Sequence, residues 1–354
     1  MKRYSIACVP GDGIGREVVP AARKVLEAAG KRFEVAFAFS DFEWGSEYYF
    51  RHGVMMPVDA LERLRTHDAI LLGAVGHPDI PDHITLNGLL LPIRRGFDLY
   101  ANVRPAKLYE GVASPLTGYR AGAIDLVIVR ENTEGEYAPV GGFVHHHHSA
   151  EVAVQTAVFT RHGCERAIRF AFDLARRREK KRRVTSITKS NAQGYGMVLW
   201  DRIFREVAEE YEDVQTESLL VDAAAMELVR RPESFDVVVA SNLFGDILSD
   251  LAAAVTGSIG LAPSANLDPA RHSPSLFEPV HGSAPDIAGQ SVANPGAAIL
   301  AAAMMIEHLG ERELSGAIES AVSAALAGGA ALTRDLGGGA TTSSATAAVI
   351  AALR

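Results

Sequence analysis

The feature that most constrains the fold of this chain is an apolar run followed directly by a turn and two spaced aspartates. The run covers residues 235–240, the turn is Ser241-Asn242, and Asp246 and Asp250 come next. If the run is a buried strand and the turn begins a helix, both aspartates lie on one helical face, four residues apart. The pattern indicates an α/β fold, in which ligands collect at the carboxyl ends of the strands.

The two aspartates are candidate metal ligands. Carboxylates that share a small volume repel each other unless they are solvated or bind a cation. A third acid, Asp222, closes the alternating segment Val214–Val221, so we expect it at the end of another strand. Oxygen ligands suit Mg²⁺ or Mn²⁺ better than zinc. Aspartates at this spacing are also typical of a solvated helix face, so the other motifs have to decide between the two interpretations.

The order of strand and helix recurs along the whole chain. Apolar runs predict strands at Tyr4–Val9, Phe33–Phe39, Ala69–Val75, Ile124–Val129, Val152–Thr160 and Val184–Thr188. Periodic stretches predict helices at Arg16–Ala29, Pro57–Thr66, Thr85–Arg95, Glu165–Arg178, Tyr195–Glu210, Pro295–Leu309 and Leu314–Ala327. Gly257–Asn266 is predicted to be a loop-rich crossing. Phe277–Gly289 has neither period, and its length favours a functional loop.

A glycine-rich turn, Gly11–Gly15, separates the first predicted strand from the first predicted helix. It resembles half of a dinucleotide-binding fingerprint. Its third glycine comes one residue too early, however, and no acidic residue ends the next predicted strand. We therefore interpret the segment as a tight turn rather than as a Rossmann site.

Basic residues stand at the ends of predicted elements, where side chains converge on ligands. Arg94 ends a helix, Arg104 lies in an extended segment before Pro105, and Arg130 follows a strand. Arginine is suited to bidentate binding of carboxylates. Lys189 also follows a predicted strand and is surrounded by small polar residues.

Charge and cysteine content limit the classes of partner and compartment. The net charge of −8 argues against binding to nucleic acid or to an anionic membrane surface. The only cysteines, Cys8 and Cys164, are too few for a disulfide framework and favour a reducing cytoplasm. The apolar run after the basic N-terminus is interrupted by Pro10 before it reaches signal-peptide length.

Two further motifs have both a functional and a structural interpretation. The run Arg176–Arg183 suggests an RNA-binding patch, but cations at a helix C-terminus also complement the helix dipole. The four consecutive histidines His145–His148 are candidate ligands for a transition metal. Neighbouring side chains of an extended chain point in opposite directions, however, which favours a solvated loop.

Several motifs in order make the chain resemble the β-decarboxylating dehydrogenases, the family of isocitrate, 3-isopropylmalate and tartrate/D-malate dehydrogenases. The motifs are residues 10–15, 130–135, 189–191, 242–250 and 278–289 together with the segments around Arg94 and Arg104. Residues 81–86, 89–91, 241–250 and 263–267 are most similar to the tartrate/D-malate branch. Asn87 departs from it, since that branch often carries tryptophan there and isopropylmalate enzymes carry glutamate.

The resemblance implies an α/β, isopropylmalate dehydrogenase-like two-domain fold that is not a Rossmann fold. Residues 1–100 and 257–354 would form a large domain that binds the cofactor. Residues 101–256 would form a smaller domain with the dimer interface and the metal and catalytic residues. Two active sites would be shared across a homodimer.

The resemblance also implies roles for individual residues. Arg94, Arg104 and Arg130 would bind the carboxylates of a malate skeleton, and Asn87, Leu90 and Leu91 would face the group at its C3 atom. Asp246 and Asp250, with Asp222 of the partner subunit, would hold Mg²⁺ or Mn²⁺. Lys189, also from the partner, and Tyr137 would transfer protons.

The expected cofactor is NAD rather than NADP. Asp286 resembles the acid that accepts a hydrogen bond from the adenosine ribose, and NADP-dependent members carry lysine and tyrosine at positions 286 and 287. The remaining cofactor-binding residues would be His281, Gly282, Ser283, Ala284 and Asn294. K⁺ is a candidate activator.

The resulting hypothesis is a cytoplasmic homodimer that oxidises and decarboxylates D-malate to pyruvate and CO₂, with tartrate and 3-isopropylmalate as slower or alternative substrates. Leu90 and Leu91 also permit 3-isopropylmalate as the main substrate. A non-catalytic metabolite sensor or RNA-binding protein on the same scaffold is the competing class. It predicts loss of catalytic groups, whereas Lys189, Tyr137 and all three aspartates are present.

Overall fold

The computed structural model describes residues 2–354, which divide into two compact units. The first unit contains the chain up to Leu99, Arg104–Ile124 and Ala253–Arg354. The second contains Tyr100–Val103 and Asp125–Ala252.

The segment Arg104–Ile124 belongs to the first unit, whereas the resemblance implies that it lies in the middle domain. Contacts with the C-terminal part of the chain explain the difference. The Ser114 hydroxyl donates a hydrogen bond of 2.7 Å to the Val255 carbonyl. Gly111 lies so close to the Leu326 carbonyl that a Cβ atom there would be 2.4 Å from its oxygen. These contacts connect residues far apart in the sequence, so periodicity does not reveal them.

Strands and helices alternate along most of the chain, as the sequence predicts. The strands are β1 (Lys2–Gly11), β2 (Val35–Asp41), β3 (Ala69–Ala74), β4 (Ala101–Lys107), β5 (Asp125–Glu131), β6 (Gly141–Val144), β7 (Val152–Gln155), β8 (Arg183–Thr188), β9 (Gln215–Leu220), β10 (Val237–Ala240), β11 (Pro263–Leu267) and β12 (Ser275–Pro279). The helices are α1 (Gly15–Phe33), α2 (Ser46–His52), α3 (Ala60–Arg65), α4 (Asp82–Gly88), α5 (Leu90–Gly96), α6 (Arg161–Arg178), α7 (Gly196–Ala208), α8 (Val221–Arg230), α9 (Asn242–Val255), α10 (Gly296–His308), α11 (Arg312–Ala327) and α12 (Thr342–Ala352).

In the first unit, five strands lie in the order β2-β1-β3-β12-β11. Neighbouring strands are parallel except β11, which runs antiparallel to β12. Helix α1 buries the stripe that its periodicity predicts, including Val18, Ala22, Val25 and Leu26. Helix α10 is buried nearly all round, which its alanine-rich sequence permits.

In the second unit, four parallel strands lie in the order β5-β10-β8-β9. All four residues of β10 are buried, which explains why its sequence is a continuous apolar run rather than an alternating one. The buried faces of α6 and α7 include Phe172 and Trp200. Among the described residues, no helix is both long and apolar enough to cross a membrane.

Two segments predicted to be irregular contain strands. Residues 257–266 include most of β11, and residues 277–289 begin inside β12. All five residues of β12 are buried, so the strand lacks the alternation that would have revealed it.

Three other predictions differ from the structure in their boundaries. The histidine-containing loop begins with β6, which pairs with β7 to form a hairpin, and β7 ends at Gln155 rather than near Thr160. The predicted helix Thr85–Arg95 is two helices, α4 and α5, interrupted at Leu89. Strand β9 ends at Leu220, so Asp222 lies in the first turn of α8 rather than on the strand.

Candidate active site

Helix α9 carries the two aspartates of the predicted metal site. It begins directly after β10, at the carboxyl end of a parallel strand, and Asp246 and Asp250 lie four residues apart on it. Asp246 is half-buried and Asp250 is exposed. The carboxylate of Asp246 accepts a hydrogen bond of 2.7 Å from the Tyr137 hydroxyl and forms an ion pair with Arg130.

Arg130 is a buried cation at the end of β5. Its Nε and Nη2 atoms donate hydrogen bonds of 2.9 and 2.7 Å to Oδ1 of Asn242, and Nη1 contacts Asp246. The guanidinium carbon lies 5.1 Å from the centre of the Tyr137 ring. A Cβ atom on Gly245 would lie 2.6 Å from Cβ of Arg130, so this helix position requires glycine. One cluster therefore contains a cation, a phenol and a carboxylate.

The segment between Arg130 and Tyr137 is held by two carboxylates, of which Glu131 is buried and Glu136 is half-buried. Glu131 accepts hydrogen bonds from the backbone and hydroxyl of Thr133 and from the Glu134 N–H group. Burial raises the pKa of Glu131, although these donors oppose the shift. Glu136 accepts from the Ser241 hydroxyl and from the Leu243 N–H group at the start of α9.

The predicted acid–base residue Lys189 forms an ion pair with Asp222. Strands β8 and β9 are parallel neighbours, with Thr188 opposite Leu220, so the residues that follow them are adjacent. The hydrogen bond from Lys189 lowers the pKa of Asp222.

The three predicted metal ligands do not form one cluster within the described residues of a single chain. Among residues 2–354, no three His, Cys, Asp or Glu side chains are grouped so that they could hold a metal ion. Asp246 and Asp250 provide carboxylate oxygens one helical turn apart, the donor type that Mg²⁺ and Mn²⁺ prefer. The third predicted ligand, Asp222, is paired with Lys189 in the same chain.

In the first unit, Arg94 forms a buried ion pair with Glu278, a residue to which no sequence pattern assigns a role. Its Nη2 atom lies 2.7 Å from Oε1 of Glu278, which also accepts a hydrogen bond of 2.9 Å from Asn266. The Nε atom of Arg94 is buried and has no hydrogen-bond partner among the described residues. Arg104 is buried on β4.

The three residues predicted to select the substrate differ in their environments. Asn87 is exposed on α4, and its side-chain nitrogen donates a hydrogen bond of 2.7 Å to the carbonyl of His83. Leu90 is a buried member of the hydrophobic core of the first unit, whereas Leu91 is half-buried. The break at Leu89 places Asn87 and the two leucines on different helices.

The predicted cofactor segment packs against the glycine turn. Gly11 and Gly13 have positive φ angles, which confirms the tight turn. The Ile14 N–H group donates a hydrogen bond of 2.9 Å to the Ser283 carbonyl. A Cβ atom on Gly13 would lie 2.0 Å from that oxygen. Farther along the segment, the Gly289 N–H group donates a hydrogen bond of 2.7 Å to Glu17.

The side chains of the cofactor segment include one buried acceptor suited to a ligand. Burial lowers the pKa of His281, which favours the neutral imidazole. Nδ1 lies 3.0 Å from the carbonyl of Gly282 and must carry the proton, which leaves Nε2 as an acceptor. Nε2 is buried and has no hydrogen-bond partner among residues 2–354. Ala284 has a positive φ angle, Asp286 is exposed, and Asn294 donates a hydrogen bond to Asp335.

The two motifs with alternative interpretations have structural explanations. The four histidines are exposed at the turn of the β6–β7 hairpin, and His146 contacts Glu151. In the basic run, Arg176 pairs with Asp213, while Arg178 pairs with two carboxylates, including that of Asp236. These contacts support the interpretation of the histidines as a solvated loop and of the basic run as a structural feature.

The sequence and the fold of this chain are similar to those of known dehydrogenases, in agreement with the geometry of the site. A family model described as isocitrate/isopropylmalate dehydrogenase matches residues 5–352. The chain is 52% identical over 354 residues to a probable tartrate dehydrogenase/decarboxylase of Agrobacterium vitis, covering 100% of this chain and 98% of the relative. It is 54% identical over 312 residues to the decarboxylating D-malate dehydrogenase of Escherichia coli strain K12, covering 88% and 86%. The crystal structure of isocitrate dehydrogenase from Methylococcus capsulatus superposes with a TM-score of 0.88 at 39% identity, covering 99% of both chains.

Proposed function

This chain belongs to the isocitrate/isopropylmalate dehydrogenase family and is an oxidative decarboxylating dehydrogenase, and we propose that it converts D-malate and NAD⁺ to pyruvate, CO₂ and NADH. Tartrate and 3-isopropylmalate are the proposed slower or alternative substrates. The observation that carries the proposal is the contact of Asp246 with both Arg130 and Tyr137. It brings together a group for binding a carboxylate, a proton donor and a metal ligand.

Substrate binding is assigned to Arg94, Arg104 and Arg130, whose guanidinium groups match the carboxylates of malate. All three are buried, which supports a role beyond surface charge. Glu278 and Asn242 orient Arg94 and Arg130, respectively, before any substrate arrives.

Oxidation requires a base for the C2 hydroxyl, and Lys189 is the proposed base. It takes the hydroxyl proton while the C2 hydride leaves for NAD⁺, and this step gives a β-keto acid. Asp246 and Asp250, with Asp222 of the partner subunit, would hold Mg²⁺ or Mn²⁺. Such a cation supplies charge stabilisation for the oxygen at C2.

Decarboxylation breaks the bond between C3 and the β-carboxylate, releases CO₂ and leaves an enolate. Tyr137 is the proposed proton donor to C3, after which the ketone of pyruvate forms. Its hydroxyl already donates to Asp246, which supports a position beside the reacting oxygen.

NAD is the proposed dinucleotide, bound by His281, Gly282, Ser283, Ala284, Asp286 and Asn294. The exposed Asp286 would accept a hydrogen bond from a ribose hydroxyl and repel a 2′-phosphate. The unpartnered acceptor of the buried His281 would receive an amino group such as that of adenine. K⁺ is proposed as an activator.

The choice among malate derivatives is assigned to Asn87, Leu90 and Leu91. Leu90 and Leu91 permit an apolar C3 substituent, and burial of an isopropyl group could contribute roughly 2 kcal/mol. Asn87 offers an amide to a hydroxyl or to water, provided that it releases the carbonyl of His83. The similarity to enzymes named for tartrate and D-malate supports the smaller, polar substrates.

A homodimer with shared active sites is part of the proposal. Large apolar side chains of the second unit are exposed in the single chain, which supports a partner surface there; they include Phe143, Val154, Tyr195, Val198, Met226 and Ile247. Tyr195 also lines an open groove of about 540 Å³ that contains none of the proposed site residues. Mixing inactive Lys189→Ala and Asp246→Asn chains should restore a fraction of the activity if the sites are shared. No recovery after verified subunit exchange would contradict sharing.

Neither nucleic acid nor a membrane is a proposed partner, because the acidic chain would be repelled by both. Both cysteines are free and buried, which supports the proposed cytoplasmic location.

The decisive experiment compares kcat/KM for D-malate, tartrate and 3-isopropylmalate with Mn²⁺ and K⁺ present, using NAD and then NADP. D-malate with NAD should be the best pair. A preference for 3-isopropylmalate of about tenfold or more, some 1.4 kcal/mol, would move the assignment to leucine biosynthesis. Equal efficiency with both dinucleotides would contradict the role of Asp286, and no turnover with any substrate would favour the non-catalytic class.

A further inference from the structure

We propose that Glu136 is a positioning residue that holds Tyr137 against Asp246 by binding the N-terminus of helix α9. The inference rests on the proposed function, because it concerns the step in which Tyr137 delivers a proton. Glu136 contributes through its neighbours and has no direct chemical role.

The carboxylate of Glu136 connects the Tyr137 segment with the first turn of α9. Oε1 accepts a hydrogen bond of 2.9 Å from the Ser241 hydroxyl, and Oε2 accepts one of 3.2 Å from the Leu243 N–H group. The amide of Leu243 is one of the N-terminal N–H groups for which a helix has no internal acceptor. A carboxylate at this position also interacts favourably with the helix dipole.

The next residue, Tyr137, reaches the same helix one turn later. Its hydroxyl donates a hydrogen bond of 2.7 Å to Oδ2 of Asp246. Two consecutive side chains therefore bind one helix, the first at its N-terminus and the second at the predicted metal ligand. These contacts fix the position of the Tyr137 hydroxyl along the axis of α9. Loss of the Glu136 contact should therefore displace the hydroxyl from Asp246.

The backbone beside Glu136 is shaped to approach α9 closely. Gly135 has a φ angle of +75°, and a Cβ atom there would be 3.2 Å from Cβ of Asn242. The side-chain amide of Asn242 donates a hydrogen bond of 2.9 Å to the Glu134 carbonyl. Gly135 and Asn242 thus bring this segment close to α9, and the carboxylate of Glu136 adds a charged hydrogen bond between them.

Glu134 provides a matched control. It belongs to the same segment and is also a half-buried glutamate, but its carboxylate accepts hydrogen bonds from the backbone and hydroxyl of Thr160, next to α6. Glu134→Ala should loosen the segment without removing the contact with α9. Comparison with Glu136→Ala thus separates general loosening from loss of Tyr137 positioning.

The test measures how the β-keto acid formed from D-malate partitions between release as oxaloacetate and conversion to pyruvate, because an enolate that is protonated slowly recombines with bound CO₂ and regenerates the β-keto acid. Glu136→Ala should raise the ratio of oxaloacetate to pyruvate about tenfold, within the 10- to 100-fold range typical of groups that orient ligands. Tyr137→Phe should raise it at least as much, and the double variant should add nothing further. Glu134→Ala should leave the ratio unchanged, and Glu136→Gln, which keeps one acceptor oxygen, should have an intermediate effect.

A second measurement does not depend on turnover. Mn²⁺ binding, followed by the electron paramagnetic resonance signal of the free ion, should weaken several-fold in Glu136→Ala and stay unchanged in Glu134→Ala. A crystal structure of Glu136→Ala should lack the hydrogen bond between Tyr137 and Asp246. If wild-type protein does not turn over D-malate, the proposed substrate fails, and these two measurements still decide the role of Glu136.

Three results would overturn the inference. The first is an equal ratio of oxaloacetate to pyruvate in Glu136→Ala and Glu134→Ala. The second is a double variant, Glu136→Ala with Tyr137→Phe, in which the increase in this ratio equals the product of the two single increases. The third is an intact contact between Tyr137 and Asp246 in the variant structure. If Glu136→Ala does not fold, Ser241→Ala removes one of the two hydrogen bonds and should give the same changes at smaller size.

Discussion

Each unit of the chain contains a buried arginine proposed to bind a substrate carboxylate, but the acids paired with them differ. In the first unit, the side chains of Arg94 and Glu278 are 4% and 7% exposed, and Asn266 donates a further hydrogen bond to Glu278. In the second unit, the side chain of Arg130 is 1% exposed, whereas that of its partner Asp246 is 31% exposed.

The difference indicates two kinds of preorganisation. A fully buried acid such as Glu278 is a permanent counterion, since exposing its arginine without it would leave an uncompensated charge. Asp246 can exchange its contacts with Arg130 and Tyr137 for other ligands because solvent reaches it. We therefore expect loss of Glu278 to affect mainly folding and loss of the Asp246 carboxylate to affect mainly activity.

The largest expected effect is on activity, in Asp246→Asn. The amide keeps an acceptor for Tyr137 but removes the charge that binds a divalent cation, so kcat with D-malate should fall at least about 10³-fold, roughly 4 kcal/mol. The loss of stability should be smaller than in Glu278→Gln, because solvent reaches the side chain at position 246 and Asn242 still accepts two hydrogen bonds from Arg130. Steady-state kinetics and Mn²⁺ binding measure the effect. Retained activity would contradict the metal assignment.

The next effect concerns folding, in Glu278→Gln. The variant leaves Arg94 buried without a counterion, and removal of one partner of a buried pair costs about 3 kcal/mol or more. Urea unfolding should show this loss of stability. A double variant, Arg94→Met with Glu278→Met, should be less destabilised than Glu278→Gln. If Glu278→Gln is as stable as the wild type, the proposed contrast between the two units is wrong.

A smaller expected effect depends on pH and concerns His308. This histidine contacts Ser275, the first residue of β12, whereas Glu278 lies near the end of the same strand. Burial lowers the pKa of His308 to about 4, and its Nε2 atom lies 3.1 Å from the Ser275 hydroxyl. The unfolded imidazole binds a proton near its ordinary pKa of about 6.5, whereas the folded one does not, so acid favours unfolding. His308 should contribute its full stabilisation above about pH 6.5 and lose it as the pH falls towards 4.

At pH 5 the expected loss of stability from His308 is at most about 2 kcal/mol relative to pH 7. Urea unfolding at both pH values measures it. His308→Gln, which does not titrate, should remove most of this part of the pH dependence, whereas His272→Gln is a control at an exposed histidine. An identical pH dependence in wild type and His308→Gln would contradict the assignment.

The sequence predicts those features of the two units that depend on residues close together in the chain. The strand, turn and helix that present Asp246 and Asp250 follow from residues 235–250, and the glycine turn follows from Gly11 and Gly13. Parallel β-strands with neighbouring ends also explain why Lys189 and Asp222 meet. In each case the required signal lies within one element or between adjacent elements.

The missed features are pairings over long sequence separations. Glu278 lies 184 residues from Arg94, and Glu136 lies 105 residues from Ser241. Glu278 begins one of the motifs that resemble the family, and Glu136 directly follows another, but no periodicity tells which side chain each glutamate will contact. Buried strands such as β12 were missed for a related reason, since uniform burial removes the alternation that reveals a strand.

The smallest expected effect concerns Glu17, which holds the cofactor segment of the first unit much as Glu136 holds the Tyr137 segment of the second. Its Oε1 atom accepts a hydrogen bond of 2.7 Å from the Gly289 N–H group, three residues beyond Asp286. A charge-assisted hydrogen bond contributes about 1.5 kcal/mol, and part of this will be recovered by water. Glu17→Ala should therefore raise KM for NAD⁺ about fivefold, roughly 1 kcal/mol, because the segment must be ordered when the dinucleotide binds.

The effect of Glu17→Ala should be confined to dinucleotide binding. Because the second unit contains the proposed metal and proton-transfer groups, kcat and Mn²⁺ affinity should stay near their wild-type values, and Glu17→Gln, which retains an acceptor, should restore most of the affinity for NAD⁺. Direct titration with NADH would confirm that KM reports binding. A fall in kcat with unchanged KM would mean that Glu17 acts on the chemical steps, and the division between a cofactor-ordering first unit and a catalytic second unit would then not hold.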